Sequence, residues 1–184
     1  PTNYGLNTNT FTADLEFAGQ VVQIQVTDPS ITTGVTIKKT GYQQVMNNSL
    51  IRYTVSNVAN TSSVSLNSFY WRDTIPTDAM RLTRLVTGTY SATQNYKVTY
   101  TTNLNSNWQT AYDNLSTAQN YTLDMSASAL GLASNEYVTS FMLVFGIVPS
   151  GFHQLTDATV DGTTLYALTN GYQFTNKADV GGLY

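Results

Sequence analysis

Lys39, Asp73 and Asn176 are the residues from which chemistry is first expected, because each falls in step with apolar neighbours on a stretch that reads as a strand. Side chains alternate between the two faces of a β-strand, so residues two apart share a face. In Val35-Thr36-Ile37-Lys38-Lys39 the apolar series Val35, Ile37 runs on to Lys39 and not to Lys38. In Phe69-Tyr70-Trp71-Arg72-Asp73-Thr74-Ile75 the series Phe69, Trp71, Ile75 takes in Asp73, and in Tyr172-Gln173-Phe174-Thr175-Asn176 the pair Tyr172, Phe174 leads to Asn176. An amine, a carboxyl and a carboxamide are therefore expected to face inward, and such groups are costly to bury unless they meet one another. Singly, each has an ordinary explanation: a Lys at a strand end snorkels to water, an Asp before Thr-Ile-Pro opens a turn, an Asn after Phe-Thr caps a strand. Jointly they describe a polar cluster, at its simplest a buried Lys–Asp pair with the Asn hydrogen-bonded to it.

The elements that must position this cluster are strands. Thirty Thr, 17 Asn and 15 Ser stand beside 13 Tyr in 184 residues. Thr, Val, Tyr and Phe suit a pleated, half-buried surface, and Asn, Ser and Gly suit the turns between strands. Lys and Glu, which usually fill exposed helix faces, are scarce. From residue 34 onward the chain reads as Val35 to Thr40, Leu50 to Val58, Val64 to Asp73, Met80 to Thr89, Tyr96 to Thr102, Trp108 to Tyr112, Tyr121 to Met125, Tyr137 to Val148, Thr163 to Leu168 and Tyr172 to Asn176. Turn signals such as Asn47-Asn48-Ser49 and Asp161-Gly162 separate them, which is the pattern of a β-sandwich. Ser126 to Ser134 is the one stretch with a helical turn in it. Residues 1–33 form a separate strand pair, Thr10 to Phe17 and Val21 to Thr27, split by Ala18-Gly19-Gln20.

Composition removes most catalytic constellations. There is no Cys, hence no thiolate nucleophile, disulfide or Cys-bound metal, and His153 is the single histidine. A net charge of −3 with 10% charged residues offers nothing to hold a polyphosphate backbone, so nucleic acid is not an expected partner. The longest apolar run, Phe141 to Pro149, is strand-sized and spans no bilayer. Pro1 opens without the basic and apolar regions of a secretory signal and no sorting tail follows Tyr184, so an exported parent would be longer than this segment.

The quoted strands also carry a family resemblance. Gly34-Val35-Thr36-Ile37-Lys38-Lys39-Thr40, Leu50-Ile51-Arg52-Tyr53-Thr54-Val55, Trp71-Arg72-Asp73-Thr74-Ile75-Pro76 and Phe174-Thr175-Asn176 resemble collagen-adhesin-type (Cna-like) immunoglobulin-like modules of Gram-positive surface adhesins and pilins, over roughly residues 34 to 184. The resemblance implies an all-β, immunoglobulin-like β-sandwich in which a strand Lys and a last-strand Asn join spontaneously in an intramolecular isopeptide bond, assisted by a buried acid. Carried over by motif position, Lys39 is the amine, Asn176 the acyl group and Asp73 the assisting acid. Pro1 to Asn7 and Phe17-Ala18-Gly19-Gln20 resemble the tail of a preceding module, with 34–184 as the adhesin or pilin-like domain. A single-turnover reaction of the chain on itself is not enzymatic and needs no cofactor or metal. The expected setting is extracellular, on a cell-wall-anchored protein whose anchor lies outside this segment. The expected partners are neighbouring modules of the same surface protein, without membrane insertion.

Such a reaction makes demands that burial can meet. Desolvation disfavours both the Lys39 ammonium and the Asp73 carboxylate, while their mutual attraction opposes both shifts. A protonated Asp73 can polarise the Asn176 carbonyl, and Phe69, Trp71, Tyr172 and Phe174 are the aromatic neighbours expected to keep water out. Glu136, Asp14 and Glu16 are rival acids, and a one-residue slip would exchange Lys38 for Lys39. Other features carry less. His153 lacks a second ligand, Asp157 and Asp161 read as a surface turn rather than a calcium loop, and Asn47, Asn60, Asn114 and Asn120 fit a glycosylation pattern without meaning in a bacterium. Trp108 and Tyr112 read equally as a binding platform or as core. The alternative function is an adhesin head, without a cross-link, that recognises a host protein or glycan.

Overall fold

The structure is a computed structural model that describes residues 2–3, 16–17, 20–21, 24–25, 32–42 and 44–184. At the N-terminal end β1 (Thr2–Asn3), β2 (Glu16–Phe17), β3 (Gln20–Val21) and β4 (Ile24–Gln25) are two-residue strands; β2 pairs antiparallel with β3, and β1 parallel with β4. Gln20, expected in the connection, is the first residue of β3 and pairs with Phe17, while Ile24–Gln25 of the expected second strand pairs with β1 and not with the first strand; the other residues of the expected pair lie outside the described residues.

From residue 35 the chain forms β5 (Val35–Gly41), β6 (Leu50–Asn60), β7 (Leu66–Thr74), β8 (Met80–Val86), β9 (Thr89–Tyr90), β10 (Asn95–Thr102), β11 (Gln109–Ser116), β12 (Thr122–Asp124), β13 (Val138–Val148), β14 (Gln154–Thr156), β15 (Ala158–Thr164) and β16 (Lys177–Leu183). Two antiparallel sheets of five strands hold them, in the orders β11-β10-β13-β7-β16 and β12-β8-β15-β6-β5. The protein is all-β, a β-sandwich, with no helix among the described residues. No described helix is therefore long and apolar enough to cross a membrane. Strands β5 and β16 are the edges of opposite sheets and touch each other, so the sandwich closes along the side where the chain enters and leaves it.

Alternation along β6 and β7 builds much of the core. In β7, Phe69, Trp71 and Asp73 are buried between more exposed neighbours, and in β6 the buried set is Ile51, Tyr53, Val55, then Val58 and Asn60. The phase of β6 slips at Asn57, whose φ of 57° is left-handed, and the β5–β6 register shifts there. A bulge of this kind re-aims a strand without ending it. On the inner face of the sheet that holds β7 and β13, Phe69 meets Phe145 at a centroid separation of 6.0 Å and the loop residue Phe152 at 5.5 Å, and Trp71 meets Phe141 at 5.7 Å. Each such ring removed from water contributes about 1.5–3 kcal/mol. Trp71 also donates Nε1–H to the Tyr90 hydroxyl at 2.9 Å, so its polar atom is satisfied in the dry interior.

Three expectations about elements need correction. Asp161-Gly162 is not a turn but the middle of β15, which runs from Ala158 to Thr164 and not from Thr163 to Leu168. Asp161 is buried because Arg52 and Arg84 both reach it, the closest Nη2–Oδ2 approach being 2.6 Å from Arg84. Gly162 is required beside Met80 and Arg81, since a Cβ there would fall 2.6 Å from the Arg81 carbonyl oxygen. The final strand is Lys177–Leu183, while 172–176 is an extended approach to it, not a strand. Residues 126–134 hold turns closed by bonds such as Leu130 N–H to Ser126 O at 3.1 Å, without becoming a helix.

Candidate functional site

Each strand supplies one member of the polar cluster. Along β5, Val35, Ile37 and Lys39 are half-buried while Thr36, Lys38 and Thr40 are exposed, so the inward amine is Lys39. Asp73 lies near the end of β7, flanked by Phe141 of β13 and Ala178 of β16. Asn176 immediately precedes β16, whose first residue, Lys177, pairs with Thr74. The alternation of half-buried Phe174 and Asn176 with exposed Thr175 and Lys177 carries through this junction. Amine and acid therefore come from opposite sheets, and the carboxamide arrives beside the acid on the neighbouring edge.

Lys39 Nζ donates to Asp73 Oδ2 across the gap between the sheets. The Lys39 side chain is 11% exposed and that of Asp73 is fully buried. Burial is the largest influence on both: it lowers the Lys39 pKa below 10.5 against the pull of Asp73, and raises that of Asp73 above 3.8 against Lys39 and Asn176. Both groups are thus driven towards their neutral forms. The Asn176 carboxamide is near enough to favour the Asp73 carboxylate. Even so, neither its Oδ1 nor its Nδ2 meets hydrogen-bond geometry with any described residue, and the same holds for Asp73 Oδ1. Buried polar atoms are nearly always paired, so three such atoms in one place mark a site that an ordinary ion pair does not account for.

The surroundings differ in part from the expected aromatic shield. Phe69 and Trp71 lie on the inward face of β7 in the core, and Phe174 packs against its margin. Tyr172 does not shield the cluster: it is 42% exposed, with its hydroxyl on Asp78, because it belongs to the surface loop before β16. The ring that covers the amine is Tyr53, with Lys39 Nζ 4.7 Å from its centroid. Burial, and then the charge of Asp73, push the Tyr53 phenol up to about 12, so it remains a neutral cover. Tyr53 was readable as an inward residue of Leu50-Ile51-Arg52-Tyr53, but nothing in the sequence pairs it with Lys39. Their meeting depends on the β5–β6 register, in which Gly41 stands opposite Tyr53.

The rival groups are placed elsewhere. Glu136 accepts from the Thr102 hydroxyl at 2.6 Å and the Ala133 N–H at 3.2 Å, bracing a loop. Asp14 lies outside the described residues, and of Glu16 only the backbone pairing with Val21 is described. His153 is exposed, with Nδ1 2.8 Å from the Gly151 carbonyl oxygen. Tyr112 on edge strand β11 donates to the Asp124 carbonyl oxygen at 2.8 Å, and Trp108 is 41% exposed just before it. Comparison of the chain with family models, curated proteins and solved structures finds no match.

Proposed function

We propose that the protein is a structural module of a bacterial surface protein, of immunoglobulin-like Cna type, which links Lys39 to Asn176 through an isopeptide bond assisted by Asp73. The observation that supports this reading is the contact of the Lys39 amine with a fully buried Asp73, beside an Asn176 carboxamide that meets hydrogen-bond geometry with none of the described residues. A stabilising ion pair alone would leave that carboxamide an uncompensated cost.

The neutral Lys39 amine attacks Asn176 Cγ while protonated Asp73 donates a hydrogen bond to the carbonyl oxygen. The Nζ–Cγ bond forms and the Cγ–Nδ2 bond breaks. Asp73 relays a proton from the attacking nitrogen to the leaving nitrogen, which departs as ammonia, so Asp73 ends as it began. Gathering amine, acid and carboxamide in one buried cluster supplies the acceleration, since well-oriented intramolecular reactions gain about 7–11 kcal/mol over separate reactants. No cofactor enters this balance.

Intact mass tests the proposal directly. The wild-type chain is expected about 17 Da below its sequence mass, the mass of the ammonia released in acyl transfer to an amine. Lys39→Ala, Asn176→Ala and Asp73→Asn should each run at full sequence mass. A wild-type chain at full mass, with Lys39 open to amine reagents after unfolding, would overturn the reading.

A further inference from the structure

We propose that the cleft above Tyr53 is a binding site for a neutral carbohydrate. The cleft has a volume of about 990 Å³ and lies between the segment that follows β5 and the loop that precedes β16. Its floor includes Ile51 and Tyr53, and its size is at the upper end of ordinary small-molecule sites. The inference stands on lining chemistry alone and is independent of whether Lys39 and Asn176 are joined.

Charge narrows the ligand first. No described residue that lines the cleft is Asp, Glu, Lys, Arg or His, so the lining offers no cation to a phosphate, a sulfate or a sialic acid, and the carboxylate at its margin, Asp78, is occupied by the Tyr172 hydroxyl. Aromatic rings, side-chain amides and threonine hydroxyls line it, together with the apolar Val45, Met46, Ile51 and Leu168. Tyr42 is 52% and Tyr172 42% exposed, which leaves ring surface available for stacking. Gln44, Asn170 and Gln173 are exposed, and their side chains make no hydrogen bond to the described residues. A carboxamide both donates and accepts, as a sugar hydroxyl does, and an aromatic face suits the apolar C–H face of a pyranose.

The walls are also fixed before any ligand arrives. Asn47 Nδ2 donates to the carbonyl oxygens of Leu168 at 2.7 Å and Tyr166 at 3.2 Å, tying one wall to the other. Thr164 Oγ1 donates to the Met46 carbonyl oxygen at 2.6 Å. Tyr172 is held by its hydroxyl on Asp78. A preformed cleft avoids the ordering cost that weakens binding by mobile loops.

The test titrates the full isotope-labelled chain with neutral oligosaccharides built on glucose, galactose, mannose and N-acetylglucosamine, with sialylated and sulfated sugars and a Gly-Pro-rich peptide alongside. The expected result is saturable shifts of the Gln44, Asn170 and Gln173 side-chain amides with at least one neutral sugar. Tyr42→Ala combined with Gln173→Ala should weaken that binding at least about tenfold, or 1.4 kcal/mol, at an unchanged melting temperature. No saturable shift with any neutral sugar overturns the proposal. Preference for the charged sugars or the peptide, or binding that survives the double substitution, overturns it as well. Lys39→Ala serves as a control, since it fails to cross-link and Lys39 is not itself one of the lining residues.

Discussion

Burial acts on Lys39 and Asp73 in one chemical direction, towards a free amine and a protonated acid, and that shared direction can be read as a pH dependence. In the Asn176→Ala chain both groups stay ionisable. Unfolded, Lys39 keeps its proton up to about 10.5, whereas folded it has released that proton at lower pH. The unfolded state therefore binds more protons in the window just below 10.5, and stability rises with pH there. Asp73 runs the other way: folded, it keeps a proton above 3.8 that the unfolded chain has lost, so stability falls as pH climbs from 3.8 through its folded value. An amide at Lys39 has no such proton, so the wild-type chain should lack the alkaline rise that the Asn176→Ala chain shows. Urea midpoints measured against pH on the two chains decide this, and a shared alkaline slope would identify Lys39 as a free amine in both.

The edge pair β5–β6 gives the site its cover, and its sensitive position is Gly41. A Cβ at this residue would fall 2.6 Å from Tyr53 Cε1, so Gly41→Ala must displace the ring that lies over Lys39. Overpacking of this kind costs about 1–3 kcal/mol. The same substitution should slow condensation, seen as unreacted chain by mass soon after synthesis, while Lys38→Ala on the exposed face should do neither. Part of this arrangement was legible in the sequence, because alternation places Lys39, Asp73 and Asn176 inward, and Asp73 is buried and the other two half-buried. What misled was residue type standing in for conformation. Tyr172 and Phe174 imitate a last strand, whereas the paired strand is Lys177–Leu183, whose two glycines disguise it. Gly181 is there for packing, since a Cβ would come within 2.9 Å of the Tyr70 ring on β7. Asp161-Gly162 likewise reads as a turn until Arg52 and Arg84 are seen to converge on it from β6 and β8, and no local pattern encodes that meeting.

For the whole molecule the decisive fact is that β5 and β16 are the touching edges of opposite sheets, so a bond from residue 39 to residue 176 would staple the sandwich shut where the chain enters and leaves. Closing a loop on the order of 100 residues stabilises by about 5 kcal/mol in the chain-entropy view, so the Asn176→Ala chain should melt roughly 10–20 °C below wild type by calorimetry. Mechanical load separates a covalent staple from a merely stable fold more sharply. Tension applied at residues 32 and 184 would pass from β5 through the new amide into β16 and leave the strands between unloaded. Drawn out, the chain between residues 39 and 176 spans roughly 450 Å. Single-molecule stretching of the Asn176→Ala chain should release a length close to this when the sandwich opens. The wild-type chain should release none of it at any force that leaves covalent bonds intact. Thermal stabilisation alone would only raise the force of that step, so a wild-type trace with the full step present would exclude the bond whatever its melting temperature.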